Sequence, residues 1–66
     1  MISEDQKVPK VGEIWKHSRF GVRVEVKYAG DLDKDIFARV KVKPLDGGSI
    51  QELTILDFLD NGFVIA

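Results

Sequence analysis

The sequence predicts a small all-β domain, a closed barrel of five short strands with one helical turn before the last strand. The chain has only 66 residues, enough for one domain with a modest core. Apolar and polar residues alternate along two separate segments, as in half-buried strands. No window long enough for a sizeable helix carries the helical apolar repeat without glycine or proline. Closure is expected because it leaves no unpaired edge strand.

The first strand is predicted within residues 11–17, where apolar and polar residues alternate imperfectly around Trp15. A turn follows, in which Gly21 can adopt positive φ. Residues 21–28 predict the clearest strand, because β-branched residues occupy every second position. Its predicted inward face is Val22, Val24, Val26 and Tyr28, and its outward face is Arg23, Glu25 and Lys27.

A second alternating segment, residues 36–43, follows a charged loop over residues 29–35. Its period of two predicts another half-buried strand, and we expect it to pair with the strand before it. One face carries Ile36, Ala38, Val40 and Val42, and the other carries Phe37, Arg39, Lys41 and Lys43.

The C-terminal third predicts a hairpin, a helical turn and a last strand. Gly47-Gly48 suits a tight hairpin connection, after which residues 49–55 resume the strand pattern. Residues 56–62 interleave apolar and acidic residues and predict one 3₁₀ turn that ends at Asn61-Gly62. Residues 63–66 predict the final strand.

The order of these elements resembles that of SH3-like barrels, especially the very small barrels of bacterial and phage proteins. The resemblance begins at Gly12-x-x-Trp15 and continues through the Val-rich strand, the basic strand, the Gly-Gly hairpin and the helical turn. It implies a five-stranded SH3-like barrel domain over residues 9–66, preceded by a flexible lead-in over residues 1–8.

The amino-acid composition argues against disulfides, metal and cofactor sites, and membrane-spanning segments. The chain has no cysteine and one histidine, so we expect no disulfide, metal centre or cofactor. The longest apolar run is only four residues, and residues 1–5 are acidic and lack the basic-then-apolar pattern of a signal peptide. We therefore expect a cytoplasmic protein that does not enter a membrane. Because a chain this short buries a small core, it is expected to be a monomer or a weak homodimer.

Three isolated features have structural explanations. Trp15 is expected in the core rather than in a peptide-binding groove, and His17 is expected at a turn. The spacing in Asp31-Leu32-Asp33-Lys34-Asp35 is similar to a calcium loop. However, the glycine and glutamate of that loop are replaced by Ile36 and Val42, which favours an acidic hairpin tip.

Catalysis is not expected, because no acid–base constellation stands out and a chain this small seldom supports a preorganised site. Ser18 is adjacent to His17, but catalytic triads are defined by geometry and not by adjacency. Residues 49–51, Ser-Ile-Gln, are similar to part of the cofactor strand of plasmid-borne dihydrofolate reductase, a tiny SH3-like barrel. The tyrosine expected two residues later is Leu53 here.

Charge is distributed unevenly along the chain. Residues 7–43 hold ten basic and five acidic residues, a local net charge of +5, whereas residues 44–66 hold four acids and no base. If the two alternating strands pair, their outward faces combine into a basic surface with one aromatic ring, as in proteins that bind single-stranded nucleic acid. The predicted nucleic-acid-binding residues are Arg23, Lys27, Phe37, Arg39, Lys41 and Lys43. The alternative is that these charges only keep the strands soluble.

A second functional hypothesis is a protein-interaction module. Its docking surface would be the apolar C-terminal segment with its framing acids, or the basic face against an acidic partner. The predicted protein-interaction residues are Leu56, Asp57, Phe58, Asp60 and Phe63. Both hypotheses describe a non-enzymatic binding module, and nucleic acid is preferred over protein.

Overall fold

The computed structural model describes residues 8–66, so the predicted lead-in over residues 1–8 lies outside the described residues apart from Val8. The chain forms five antiparallel strands in one sheet with one short helix, which confirms the mostly β prediction. The elements are β1 (Ile14–His17), β2 (Arg23–Ala29), β3 (Arg39–Pro44), β4 (Gln51–Thr54), α1 (Ile55–Asp60) and β5 (Phe63–Ile65).

The sheet is open, not closed as the sequence predicted. The strand order is β4-β3-β2-β1-β5, so β4 and β5 form the two edges within the described residues. Thr54 ends β4 and the next residue, Ile55, begins α1, so the chain enters the helix directly from one edge strand. The helix contacts β3, β4 and β5, and it connects the two edge strands without any pairing between them.

A β-bulge in β2 changes the predicted face of Tyr28. Val26 lies opposite Val42, Tyr28 lies opposite Lys41, and the pairing register shifts between Val26 and Tyr28. The extra residue, Lys27, reverses the alternation that follows it, so Tyr28 joins the outward side chains and is 50% exposed. The prediction that Tyr28 faces inward with Val24 and Val26 is therefore wrong. Val22, which precedes β2, is also exposed.

Strand β3 begins at Arg39, three residues later than predicted, because Asp35 forms a turn. The Asp35 carboxylate accepts a hydrogen bond from the Phe37 backbone N–H at 2.9 Å, and its carbonyl accepts one from Ala38 at 2.9 Å. Ile36 and Phe37 consequently lie in an exposed turn and not in the strand. From Arg39 onward the predicted faces are confirmed, since Val40 and Val42 are buried whereas Arg39 and Lys41 are exposed.

The core lies on the inner face of the sheet, under α1. Its buried residues are Trp15, Val24, Val26, Ala38, Val40, Val42, Ile55 and Phe58. The Trp15 ring meets Phe58 edge-on with centroids 5.2 Å apart, and Phe58 stacks on Phe63 at 4.4 Å. The prediction that Trp15 belongs to the core is confirmed, since this side chain is only 2% exposed.

The predicted helical turn is present as α1, a short α-helix. Ile55 and Phe58 are its buried residues and lie on one face at a spacing of three. The helix ends at the cap residue Asn61, after which Gly62 adopts a φ of 96°, as the Asn-Gly pair predicted. In residues 8–66 no helix has the length and apolar character needed to cross a lipid bilayer.

The N-cap of α1 provides a test of the junction between β4 and the helix. The Thr54 hydroxyl accepts a hydrogen bond from the Asp57 backbone N–H at 3.2 Å. Replacing Thr54 by alanine is expected to lower the free energy of unfolding by about 1 kcal/mol, measured by urea denaturation. Thr54→Ser keeps the hydroxyl and is the matched control. Equal stability of Thr54→Ala and Thr54→Ser would contradict the capping role.

Candidate nucleic-acid interface

The outer face of the sheet gathers basic side chains from three neighbouring strands. Lys16 of β1 lies opposite Arg23 of β2, and β2 in turn pairs with β3, where Lys43 lies opposite Glu25. The alternation of each strand that buries the core valines turns these charged residues toward solvent. We call this surface the basic face, and its cations are Lys16, Arg23, Lys27, Arg39, Lys41 and Lys43.

Two of these six cations have an acidic partner. The Lys27 ammonium lies 3.3 Å from the Glu25 carboxylate, and the Arg39 guanidinium lies 3.5 Å from the Glu52 carboxylate. Both pairs are well exposed, so solvent screens them and their attraction is weak. Within residues 8–66 the other four cations have no carboxylate within 4.0 Å. The basic face therefore keeps a net positive charge.

Two exposed aromatic rings accompany the cations. The Lys41 ammonium lies 5.6 Å from the centroid of the Tyr28 ring, a cation–π distance. Phe37 is 72% exposed in the turn that precedes β3. Both rings line a recess of about 490 Å³ together with Arg39, Lys41 and Glu52. The rings offer apolar surfaces on which a flat ligand can stack.

The structure places the predicted nucleic-acid-binding residues on one side of the molecule. Arg23 and Lys27 lie on β2, and the three cations of β3 lie on the strand beside it. Phe37 lies at the edge of this surface rather than inside a strand. Two residues of this surface, Tyr28 and Lys16, were not among the predicted binding residues. The alternation around Trp15 already placed Lys16 on the opposite side from the core, whereas no residue pattern marked the bulge that moves Tyr28.

The predicted protein-interaction residues do not form one exposed surface. Phe58 is 0% exposed and packs between Trp15 and Phe63, so it is a core residue and cannot contact a partner. Phe63 is half-buried against the same core. Of the set, only Leu56, Asp57 and Asp60 of α1 are exposed. The expectation of an apolar docking strip over this segment is corrected accordingly.

An apolar groove of about 180 Å³ opens on the inner face, beyond the part that α1 covers. Its lining includes Leu53 of one edge strand and Phe63 of the other, together with Val24 and Val42. Because the core valines Val24 and Val42 line it, the groove lies on the side opposite the basic face.

Two polar features shape turns. The His17 Nδ1 accepts hydrogen bonds from the backbone N–H groups of Arg19 and Phe20, both at 3.1 Å, and so holds the β1–β2 turn. In the acidic loop, the Asp31 carboxylate accepts a bond from the Asp33 backbone N–H at 3.0 Å. No group of three or more potential metal-binding side chains occurs in the described residues, 8–66.

Comparison with protein-family models found no match, and neither did comparison with the curated proteins or with the solved structures. What the basic face can bind therefore has to follow from its own residues.

Proposed function

We propose that this protein is a non-enzymatic module that binds single-stranded nucleic acid through its basic face. One observation carries the proposal. The bulge at Lys27 places the exposed Tyr28 ring beside Lys41, so that an aromatic surface lies among cations on three adjacent strands. Single strands need both elements, because cations contact the phosphates and aromatic rings stack on the unpaired bases.

The distribution of charge favours single-stranded nucleic acid over duplex DNA as the ligand. The formal net charge is −1, whereas proteins dedicated to duplex DNA usually carry a strong positive charge. The acids Asp57 and Asp60 belong to α1, which packs on the inner face and lies away from the cations. The positive potential is therefore local to the basic face, where it can attract a polyanion despite the negative total.

Neutralising Lys43 tests the proposal. Lys43 is a half-buried residue of β3, and no carboxylate of residues 8–66 lies within 4.0 Å of its ammonium. We expect Lys43→Gln to weaken binding of a labelled oligothymidylate several-fold. It should also reduce the slope of log Kd against log salt concentration by about 0.7, the value for one lost phosphate contact. Fluorescence anisotropy over a series of salt concentrations measures both quantities.

The matched control is Lys10→Gln, which removes the same charge from an exposed position before β1, outside the basic face. We expect nearly unchanged affinity and slope for this variant. Equal effects of the two substitutions, or no binding by the unaltered protein at low salt, would overturn the proposal. An acidic protein would meet the same cations. Binding of an oligoglutamate peptide as tightly as the oligonucleotide would assign the face to that class of partner.

We also infer that the open sheet is related to the SH3-like barrels. The helix stands between the fourth and fifth strands, and the first strand pairs with both the second and the last. This pairing brings the end of the chain back beside its first strand, as barrel curvature requires. An SH3-like relation supports a binding role, because such small folds present a shaped surface more readily than a catalytic pocket.

A further inference from the structure

We propose that the recess between Tyr28 and Phe37 is a base-binding pocket that selects guanine. This inference rests on the proposed binding of single-stranded nucleic acid and adds the identity of the base. The recess lies at the outer face of β2, β3 and β4, where both rings, Arg39, Lys41 and Glu52 line it. Asp31, Lys34 and Asp35 of the acidic loop also line it, and both of these aspartates accept backbone hydrogen bonds within that loop. The recess therefore combines apolar surface with hydrogen-bond donors and acceptors.

Glu52 supplies the acceptor. It belongs to β4, where it lies opposite Lys41, and its carboxylate is 3.5 Å from the Arg39 guanidinium. An ionised carboxylate has two oxygens and capacity for about four hydrogen bonds. The Arg39 contact is long and involves only one oxygen, Oε2, and the Glu52 side chain is 45% exposed. The carboxylate therefore keeps capacity for an incoming ligand.

A carboxylate with cations close beside it matches one base. Guanine presents two adjacent donors, N1–H and the N2 amino group, with the acceptor O6 beside them. A carboxylate can accept from both donors at once, while a neighbouring cation donates to O6. Adenine, cytosine and thymine each place an acceptor next to their only Watson–Crick donor. That acceptor would face the carboxylate without a hydrogen bond.

Two cations of β3 close to Glu52 complete the match. Both belong to β3, the strand that pairs with β4: Lys41 lies directly opposite Glu52, and Arg39 contacts it from two residues along the same strand. Either cation can donate to O6 of a guanine that binds Glu52. Neither Tyr28 nor Phe37 has a ring contact with another aromatic side chain in residues 8–66. No aromatic neighbour therefore competes with a base for either ring, although the Lys41 ammonium lies near the Tyr28 ring.

The test compares short oligothymidylate strands that carry a single guanine, adenine, cytosine or thymine at the centre. We expect the guanine strand to bind the unaltered protein about tenfold more tightly than the other three, as expected for one bidentate base contact. In Glu52→Gln one acceptor becomes a donor, and we expect the four strands to bind within about twofold of one another. Anisotropy at one fixed salt concentration measures all eight affinities.

The control variant is Glu25→Gln, which removes one negative charge from the same face but outside the recess. It should retain the guanine preference. Equal affinity for all four strands in the unaltered protein would overturn the guanine pocket while leaving the proposed function intact. A preference that survives Glu52→Gln would also overturn it. No binding of any strand would overturn both proposals.

Discussion

Replacing Phe58 by alanine is expected to leave the chain largely unfolded at room temperature. The Phe58 side chain is 0% exposed and contacts both Trp15 and Phe63, so its loss opens a cavity at the centre of the core. Such substitutions cost about 3–5 kcal/mol. The core of a domain this small rarely supplies more than about 3–5 kcal/mol of stability, so the loss is expected to remove most or all of it. Circular dichroism and thermal unfolding measure the result.

The matched control for this change is Phe37→Ala, which removes the same side chain from an exposed turn. Exposed substitutions usually change stability by less than about 0.5 kcal/mol, so this variant should unfold near the temperature of the unaltered protein. A Phe58→Ala protein that unfolds cooperatively at that same temperature would contradict the placement of Phe58 in the core.

The largest expected effect on binding comes from replacing Tyr28 by alanine. Stacking of one base on an aromatic side chain contributes about 1–3 kcal/mol, so affinity for an oligothymidylate should fall by roughly 5- to 150-fold. No charge is removed, and we therefore expect the slope of log Kd against log salt concentration to stay the same. Anisotropy titrations across a salt series separate these two quantities.

Tyr28→Phe is the control, because it keeps the ring and removes only the hydroxyl. We expect this variant to bind the oligothymidylate within about twofold of the unaltered protein, since stacking uses the face of the ring. If Tyr28→Ala binds as tightly as Tyr28→Phe, the bases do not stack at this position and the proposed interface is wrong there.

The alternation of apolar and polar residues predicted the two central strands, β2 and β3, well. Val24 and Val26 of β2 and Val40 and Val42 of β3 are buried as expected, because burial of one face requires a period of two. The helical turn was also predictable, since Asn61-Gly62 provides a local C-terminal signal. Such features depend on residues close together in sequence.

Features set by the pairing between strands could not be predicted in the same way. The bulge at Lys27 follows from the register between β2 and β3, and neither glycine nor proline marks it. It reverses the face of Tyr28, which is the aromatic residue most important for the candidate site. The open sheet could not be predicted either, because closure depends on whether the two edge strands, β4 and β5, pair and not on the pattern within any strand. The candidate cations were predictable, whereas their arrangement with Tyr28 and Glu52 was not.

The tryptophan and the tyrosine of this protein lie on opposite faces of the sheet. The chain contains one tryptophan and one tyrosine. The indole of Trp15 is 2% exposed on the inner face, and its N–H donates to the Glu13 carboxylate at 3.1 Å. The phenol of Tyr28 is 50% exposed on the outer face. Indole emission thus follows the integrity of the core, while the phenol is placed to sense occupancy of the basic face without an attached dye.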